Sequence, residues 1–548
     1  MSASARQRSL ECVINLLPPV IAMTLSLRRP SPSSLALLAV LSMLTACDKP
    51  APPAAPSQTH AASTPAPATS IAWREGDVED AFAEAKESGK PILLYWGAAW
   101  CPACNRLKAT LFKDPAFIAR TQQFVAVHLD GDSEGAQAWG ERFGVKAYPT
   151  IIVLRTDQSE ITRLAGDADN ARLAEVLRVA AKSTSTAQQL LDKALHTPQQ
   201  LSADDWAVLG NYAWGTDDRL VKPGDAAHVL TQLSTTAPQP ALQRSFALAA
   251  ISAAEHPPAA SAANRALLEA VLANPAEVRT NLSPLSYVPA RLITAASNDA
   301  GVRTTLSNAL NQALDKVYAD TSLPISDRLG TAYARIQLAR LAQGQPTEAE
   351  TEGPQPPLPK DVVDTVHQRV TWATDTAKTD EERQSTISTA AALLSDVGDG
   401  SGAEQLLLAE LPRSRTPYYY MPELANLAEQ RGDKKTALSW LKKAYDSAQG
   451  PATRVQWGVM YVNGLIRLSP DDTAGIESAA TQVIGELAGQ PDGYRQRTRQ
   501  RFASLGTTLK TWSKQHRQEG SAVLARLQQK MHSSCNSKNA SECASWLS

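Results

Sequence analysis

The chain has 548 residues, enough for three or four domain-sized units, and 43% of them are apolar, enough to build real cores. A formal net charge of −1 leaves no broad excess of lysine and arginine to neutralise phosphates, which excludes a nucleic acid as the expected partner. Beyond the N-terminal region no segment offers the run of about 18 apolar residues that a membrane-spanning helix needs.

Residues 1–22 precede Met23 and do not look like part of an export signal; a start at Met23 gives the signal a conventional length, so 1–22 reads as an upstream mis-start. Over 23–46, Arg28-Arg29 form a charged n-region and Ser34 to Leu44 an apolar h-region too short for a comfortable span. The signal ends in Leu44-Thr45-Ala46-Cys47, which resembles the bacterial lipobox; the resemblance implies lipidation of Cys47 and a lipid anchor to a membrane, with a chance match as the alternative. Residues 47–70 are rich in Pro, Ala, Ser and Thr, with prolines at 50, 52, 53, 56, 65 and 67. Such a segment cannot bury a core and reads as a tether spanning up to about 70 Å at roughly 3.1 Å per residue. The expected location is a bacterial cell envelope, facing the periplasm. Asp48 resembles the inner-membrane retention signal of enteric bacteria, which favours that membrane.

From Ile71 the texture becomes that of an α/β unit. Val78, Ala81, Phe82 and Ala85 fall at helical spacing, with Asp77 in place to cap the start and Gly89 to end it. Lys90-Pro91 precedes a buried strand, Ile92 to Gly97, and Pro102 to Leu111 starts a helix. Between them lies Trp100-Cys101-Pro102-Ala103-Cys104. Two thiols in Cys-x-x-Cys spacing open and close one disulfide without large backbone movement, and a cysteine at a helix N-terminus gains a stabilised thiolate from unpaired N–H groups and the helix dipole. Cys101 is therefore the expected nucleophile and Cys104 the resolving thiol, with an inert disulfide and a zinc site as alternatives. Zinc needs about four ligands, usually with a second close Cys or His pair, and His128 stands alone in an apolar strand, so no metal is expected. Asp114-Pro115 reads as an N-cap and first helical residue, Phe124 to Leu129 as a strand, and Ser133 to Phe143 as a helix. A strand within Gly144 to Leu154, a turn near Asp157, a short strand Ile161 to Leu164, and a closing helix around Asn170 to Ala181 follow. The order β-α-β-α-β-α-β-β-α predicts a mixed central sheet flanked by helices.

The segment 71–182 resembles the thioredoxin superfamily through Trp100-Cys101-x-x-Cys104, Phe143-Gly144-Val145, Tyr148-Pro149-Thr150 and Gly166 in that order. The resemblance implies a cis peptide at Pro149 beside the cysteine pair, a substrate-binding surface of Trp100, Tyr148, Pro149 and Thr150, and no cofactor besides the Cys101–Cys104 disulfide; an ordinary trans loop proline is the alternative. The intervening residues are Pro102-Ala103 where thioredoxins have Gly-Pro, and Tyr95 stands where they place a buried aspartate, so a proton relay for Cys104 has to use water, substrate or another group. Lys90-Pro91, the Trp-Cys-x-Ala-Cys pattern and Leu111-Phe112-x-Asp114-Pro115 look closer to the C-terminal periplasmic domain of DsbD-type thiol:disulfide interchange proteins. That likeness implies protein thiol or disulfide clients and a membrane electron donor of DsbD type.

From Ser183 onward the chain is rich in Ala, Leu and Gln without strand-like alternation and reads as all-helical, in blocks 183–344 and 361–548 separated by a proline-rich loop, 345–360. Leu393-Leu394, Gly398-Asp399, Ala403 and Leu407 recur as Leu427-Ala428, Gly432-Asp433, Ala437 and Leu441, an offset of 34, the period of tetratricopeptide repeats. The expectation is a tetratricopeptide-like array, with another helical array as the alternative. Trp206-x-x-Leu209-Gly210 looks like the opening of another repeat, and Tyr418-Tyr419-Tyr420 either line a groove or pack at a helix start. Cys535 and Cys543 lie in a polar tail and are expected to form a structural disulfide, with a second redox pair as the alternative. Together these features predict a membrane-anchored thiol-disulfide oxidoreductase, a reductase or isomerase with a helical domain for client recruitment. The rival is a binding or assembly lipoprotein in which the helical array is the working part.

Overall fold

The computed structural model describes residues 69–76, 78–133, 135–165, 170–345, 356–488, 490, 493–535 and 540–547. The signal, the lipidation of Cys47, nearly all of the tether, the Asp77 cap and Gly166 lie outside the described residues.

Five strands, β1 (Arg74–Glu75), β2 (Ile92–Gly97), β3 (Val125–Asp130), β4 (Thr150–Leu154) and β5 (Glu160–Ala165), form one mixed sheet in the order β1-β3-β2-β4-β5. β3 runs parallel to β1 and β2, whereas β4 is antiparallel to β2 and β5. Helices α1 (Val78–Ser88), α2 (Pro102–Ala109), α3 (Pro115–Thr121), α4 (Ala136–Arg142) and α5 (Asn170–Ala180) cover both faces. Because side chains alternate along a strand, Ile92, Leu94 and Trp96 face Val78, Phe82 and Ala85 of α1 and Ala136 of α4, while Leu93 and Tyr95 face Leu107 of α2, Phe117 of α3 and Leu173 of α5. The mixed sheet between helices is the architecture the pattern implied. The helix start read at Asp114-Pro115 adds one element between β2 and β3 to the order given above: Asp114 accepts the Phe117 N–H at 2.7 Å and Pro115 occupies the first turn, so α3 starts anew after the 3-10 turn Leu111–Lys113.

Among the described residues every element after β5 is helical. Its first block is continuous with the sheet domain, since Val179 of α5 packs in one cluster with Leu190, Trp206 and Phe246. The two segments related by an offset of 34 share one local geometry. Gly398 and Gly432 end their helices with φ of +89° and +78°, and the Asp399 and Asp433 side chains cap the next helices, Gly400–Glu410 and Lys434–Ser447, accepting N–H bonds at 2.8 and 3.0 Å.

The expected periplasm-facing placement at the inner membrane is corrected. Among the described residues no helix is long and apolar enough to cross a membrane. Even the 20-residue helix Gln496–Gln515 carries Arg497, Arg499, Arg501, Lys510 and Lys514.

Candidate redox site

The antiparallel pairing of β2 with β4 builds the site. It sets Trp96 opposite Thr150, so the loop leaving β2 toward Cys101 lies beside the turn that enters β4 through Pro149. The Tyr148–Pro149 peptide is cis. Cys101 is the N-cap of α2 and joins Cys104 in a disulfide with a Cα–Cα distance of 5.2 Å. The Cys101 sulfur accepts the Cys104 N–H at 3.1 Å, and Asn105 Nδ2 donates to the carbonyls of Ala99 and Cys101, both at 2.9 Å. No acidic side chain occupies the first turn of α2. After reduction, the helix N-terminus and the Cys104 amide therefore stabilise negative charge on the Cys101 sulfur, with no carboxylate in that first turn to oppose it.

Both cysteines are buried, Cys101 at 3% exposure and Cys104 at 0%, in a small cluster with Ala98, Trp100 and Tyr148. Trp100 and Tyr148 lie 6.3 Å apart between ring centroids, and the buried Thr150 hydroxyl donates to the Ala147 carbonyl at 2.7 Å. A Cβ at Gly131 would collide with the Tyr148 ring, which explains that glycine. Tyr95 supplies no replacement for the absent aspartate. Burial, with a smaller contribution from the Asp130 charge, pushes its phenol well above the ordinary range, and its hydroxyl has no partner among the described residues.

The helical region also reaches this site. Trp100 donates its indole N–H to Thr453 Oγ1 at 2.9 Å and receives at its carbonyl the Gln384 amide at 3.1 Å. Its ring stacks on Tyr419 at 5.7 Å and meets Trp457 edge-on at 6.2 Å. The Arg497 guanidinium lies 5.3 Å from the Trp100 ring and 4.5 Å from that of Tyr148. On the sheet domain, Asp132 accepts the Thr453 N–H at 2.8 Å and also its hydroxyl. Gly450, at φ +88°, lets this turn approach, because a Cβ there would strike the Asp132 carboxylate. Only the tyrosine triplet hinted at this arrangement. Tyr418 and Tyr420 are core residues, and Tyr419 is the contact.

His128 pairs with Glu75 at 2.7 Å, and among the described residues no group of three or more His, Cys, Asp or Glu is arranged to hold a metal ion. Cys535 and Cys543 form a second disulfide, Cα–Cα 5.8 Å, in a different buried cluster that includes Trp546 and Phe502.

A disulfide capping a helix beside a cis proline, on a mixed sheet with helices on both faces, defines a thiol-disulfide redox centre. The family described as thioredoxin-like domain matches residues 78–181. Over 134 residues the chain is 31% identical to thiol:disulfide interchange protein DsbD 1 of Pseudomonas aeruginosa, covering 24% of this chain and 21% of that protein. It is 33% identical over 75 residues to thioredoxin H4 of Arabidopsis thaliana, covering 14% and 60% respectively. With thioredoxin H-type of Oryza sativa subsp. indica it shares 31% identity over 98 residues, 18% of this chain and 75% of that one. Through this domain the chain belongs to the thioredoxin superfamily, and the domain is of the thiol-disulfide oxidoreductase type. The chain spans about a fifth of the DsbD 1 relative and three fifths of thioredoxin H4.

Proposed function

We propose that the protein is a thiol-disulfide oxidoreductase acting on protein clients as a reductase or isomerase, with residues 71–182 as the redox domain and a tetratricopeptide-like array that recruits the client. In the reductive direction the Cys101 thiolate attacks one sulfur of a client disulfide, forming a Cys101–client bond and expelling the other client sulfur as a thiolate. Cys104 then loses its proton to water and attacks the Cys101 sulfur. The Cys101–Cys104 bond forms, the second client thiolate leaves, and two electrons have passed from the pair to the client. A dithiol donor of the DsbD type returns them. The observation that carries this reading is Cys101 at the N-cap of α2, its sulfur accepting the Cys104 amide, beside Trp100 and Pro149. Similarity to a thiol:disulfide interchange protein supports protein clients and a dithiol donor, and the shared turns at Gly398-Asp399 and Gly432-Asp433 support the repeat.

Cys104→Ser tests the assignment. Removing the resolving thiol leaves the mixed disulfide without its exit, so reducible client adducts on Cys101 are expected in cells and are expected to vanish in Cys101→Ser/Cys104→Ser. Adducts that persist without Cys101, or their absence from Cys104→Ser, would refute the roles.

A further inference from the structure

We propose that the part of the helical region that touches the dithiol, from Asp327 to Arg497, is a separable cover over it, clasped at Thr453–Asp132 and plugged by Trp100, and that this part must move off the redox domain before a protein disulfide reaches Cys101, while the first helices stay joined to the sheet domain through Val179. The inference rests on the thiol-disulfide reading above. In-line attack on a disulfide needs open space at the attacking sulfur, and at 3% exposure Cys101 has none for a folded client. The space is taken by the helical region: the helix Asp380–Asp396, which brings Gln384 to the Trp100 carbonyl, and the side chains of Tyr419, Thr453, Trp457 and Arg497 around Trp100.

The contact has the composition of a surface meant to come apart. Val179 shares a core with the first helices after the sheet domain, but at the site only Trp100 packs into a core of the helical region. The other contacts are polar. Thr453 bonds Asp132, Arg106 pairs with Asp327 at 3.2 Å, Arg495 pairs with Glu141 at 2.8 Å, and the Gln496 amide donates to the Val145 carbonyl. Polar partners of this kind exchange for water at little net cost, unlike a shared apolar core. The helix Asp380–Asp396 is buried continuously from Gln384 to Leu394.

The test uses the reduced full chain and two opening variants at separate points of the contact. Thr453→Glu sets a carboxylate against Asp132, and Asp327→Lys sets an ammonium against Arg106; circular dichroism verifies that each folds. Iodoacetamide labelling of Cys101, followed by mass spectrometry, is expected to be about tenfold or more faster in either variant than in the wild type, since like charges raise the open population. Insulin reduction should rise in parallel, while reduction of the small disulfide 5,5′-dithiobis(2-nitrobenzoate) changes less. Labelling of the wild type as fast as that of both variants would overturn the cover. The two readings separate cleanly: equal labelling with active enzyme sinks the cover alone, whereas faster labelling with no disulfide reduced in any form upholds the cover and sinks the redox reading.

Discussion

Glu423 offers a quantitative test of the structure because its carboxyl is buried four residues beyond Tyr419, the residue stacked on Trp100. It is 9% exposed, and its Oε1 has no hydrogen-bond partner among the described residues. Burial, reinforced by the charge of Asp396 and opposed by a hydrogen bond from Asn426, pushes the carboxyl up from 4.5 to about 8. Between these values the folded state keeps a proton that the unfolded chain has released, so the contribution of Glu423 to stability is full below pH 4.5 and falls as pH rises, by about 1.4 kcal/mol per unit. The loss is about 3 kcal/mol at pH 7 and levels off near 5 kcal/mol above pH 8, a large share of a domain's stability. Glu423→Gln keeps the shape and removes the ionisation. The variant is expected to match the wild type near pH 4.5 and to exceed it by about 3 kcal/mol at pH 7. A chain with several cores does not unfold in one step. The measurement is therefore local: urea dependence of amide exchange in the helix Met421–Gln430 at several pH values, corrected for intrinsic exchange. Equal pH trends in variant and wild type would refute the argument.

The redox potential follows from what surrounds Cys101. Pro102 and Ala103 carry no side-chain donor, so the thiolate relies on the helix N-terminus and the Cys104 amide, and equilibration of the full chain with glutathione buffers should give roughly −270 to −200 mV. A value above about −150 mV, with the pair fully oxidised in cells, would reverse the direction to disulfide donation. Asp114→Ala removes the acceptor of the Phe117 N–H and should cost about 1 kcal/mol, read as faster amide exchange in α3. Unchanged exchange would mean that Pro115 alone sets the start of that helix.

The redox domain was legible because its signals are local. Proline and glycine punctuate it, Ile92 to Gly97 reads as a buried strand, and the cysteines sit at a helix start, all within a window of neighbours. The extra helix α3 was half visible: Asp114-Pro115 announced its start, yet seven residues carry too few turns to register as an element of the overall order. Tertiary contact across the chain leaves no such trace. Trp100 and Thr453 are 353 positions apart, and nothing in Thr453-Arg454-Val455 distinguishes a residue that bonds a distant indole from one on a solvated helix. The tyrosine triplet marked the right neighbourhood, but aromatic composition does not say which ring faces inward. Tyr418 and Tyr420 fill cores while Tyr419 meets the redox domain.

Of the residues that the thioredoxin resemblance assigns to substrate contact, Trp100 and Tyr148 are touched by the helical region. Gln384 donates to the Trp100 carbonyl, and Arg497 lies against both Trp100 and Tyr148. On the proposed cover, cover and client compete for one surface, and the cover competes from within the same chain, at an effective concentration on the order of millimolar. A client's apparent affinity falls by the fraction of molecules that are open, whatever its intrinsic fit to the dithiol. Client capture by Cys104→Ser then reports two quantities at once, the chemistry of Cys101 and the population that exposes it. Adding Thr453→Glu to Cys104→Ser should raise the yield of trapped adducts while leaving the identity of the attacking sulfur unchanged. A yield that stays constant as the clasp is broken would show that clients reach Cys101 without displacing the helices.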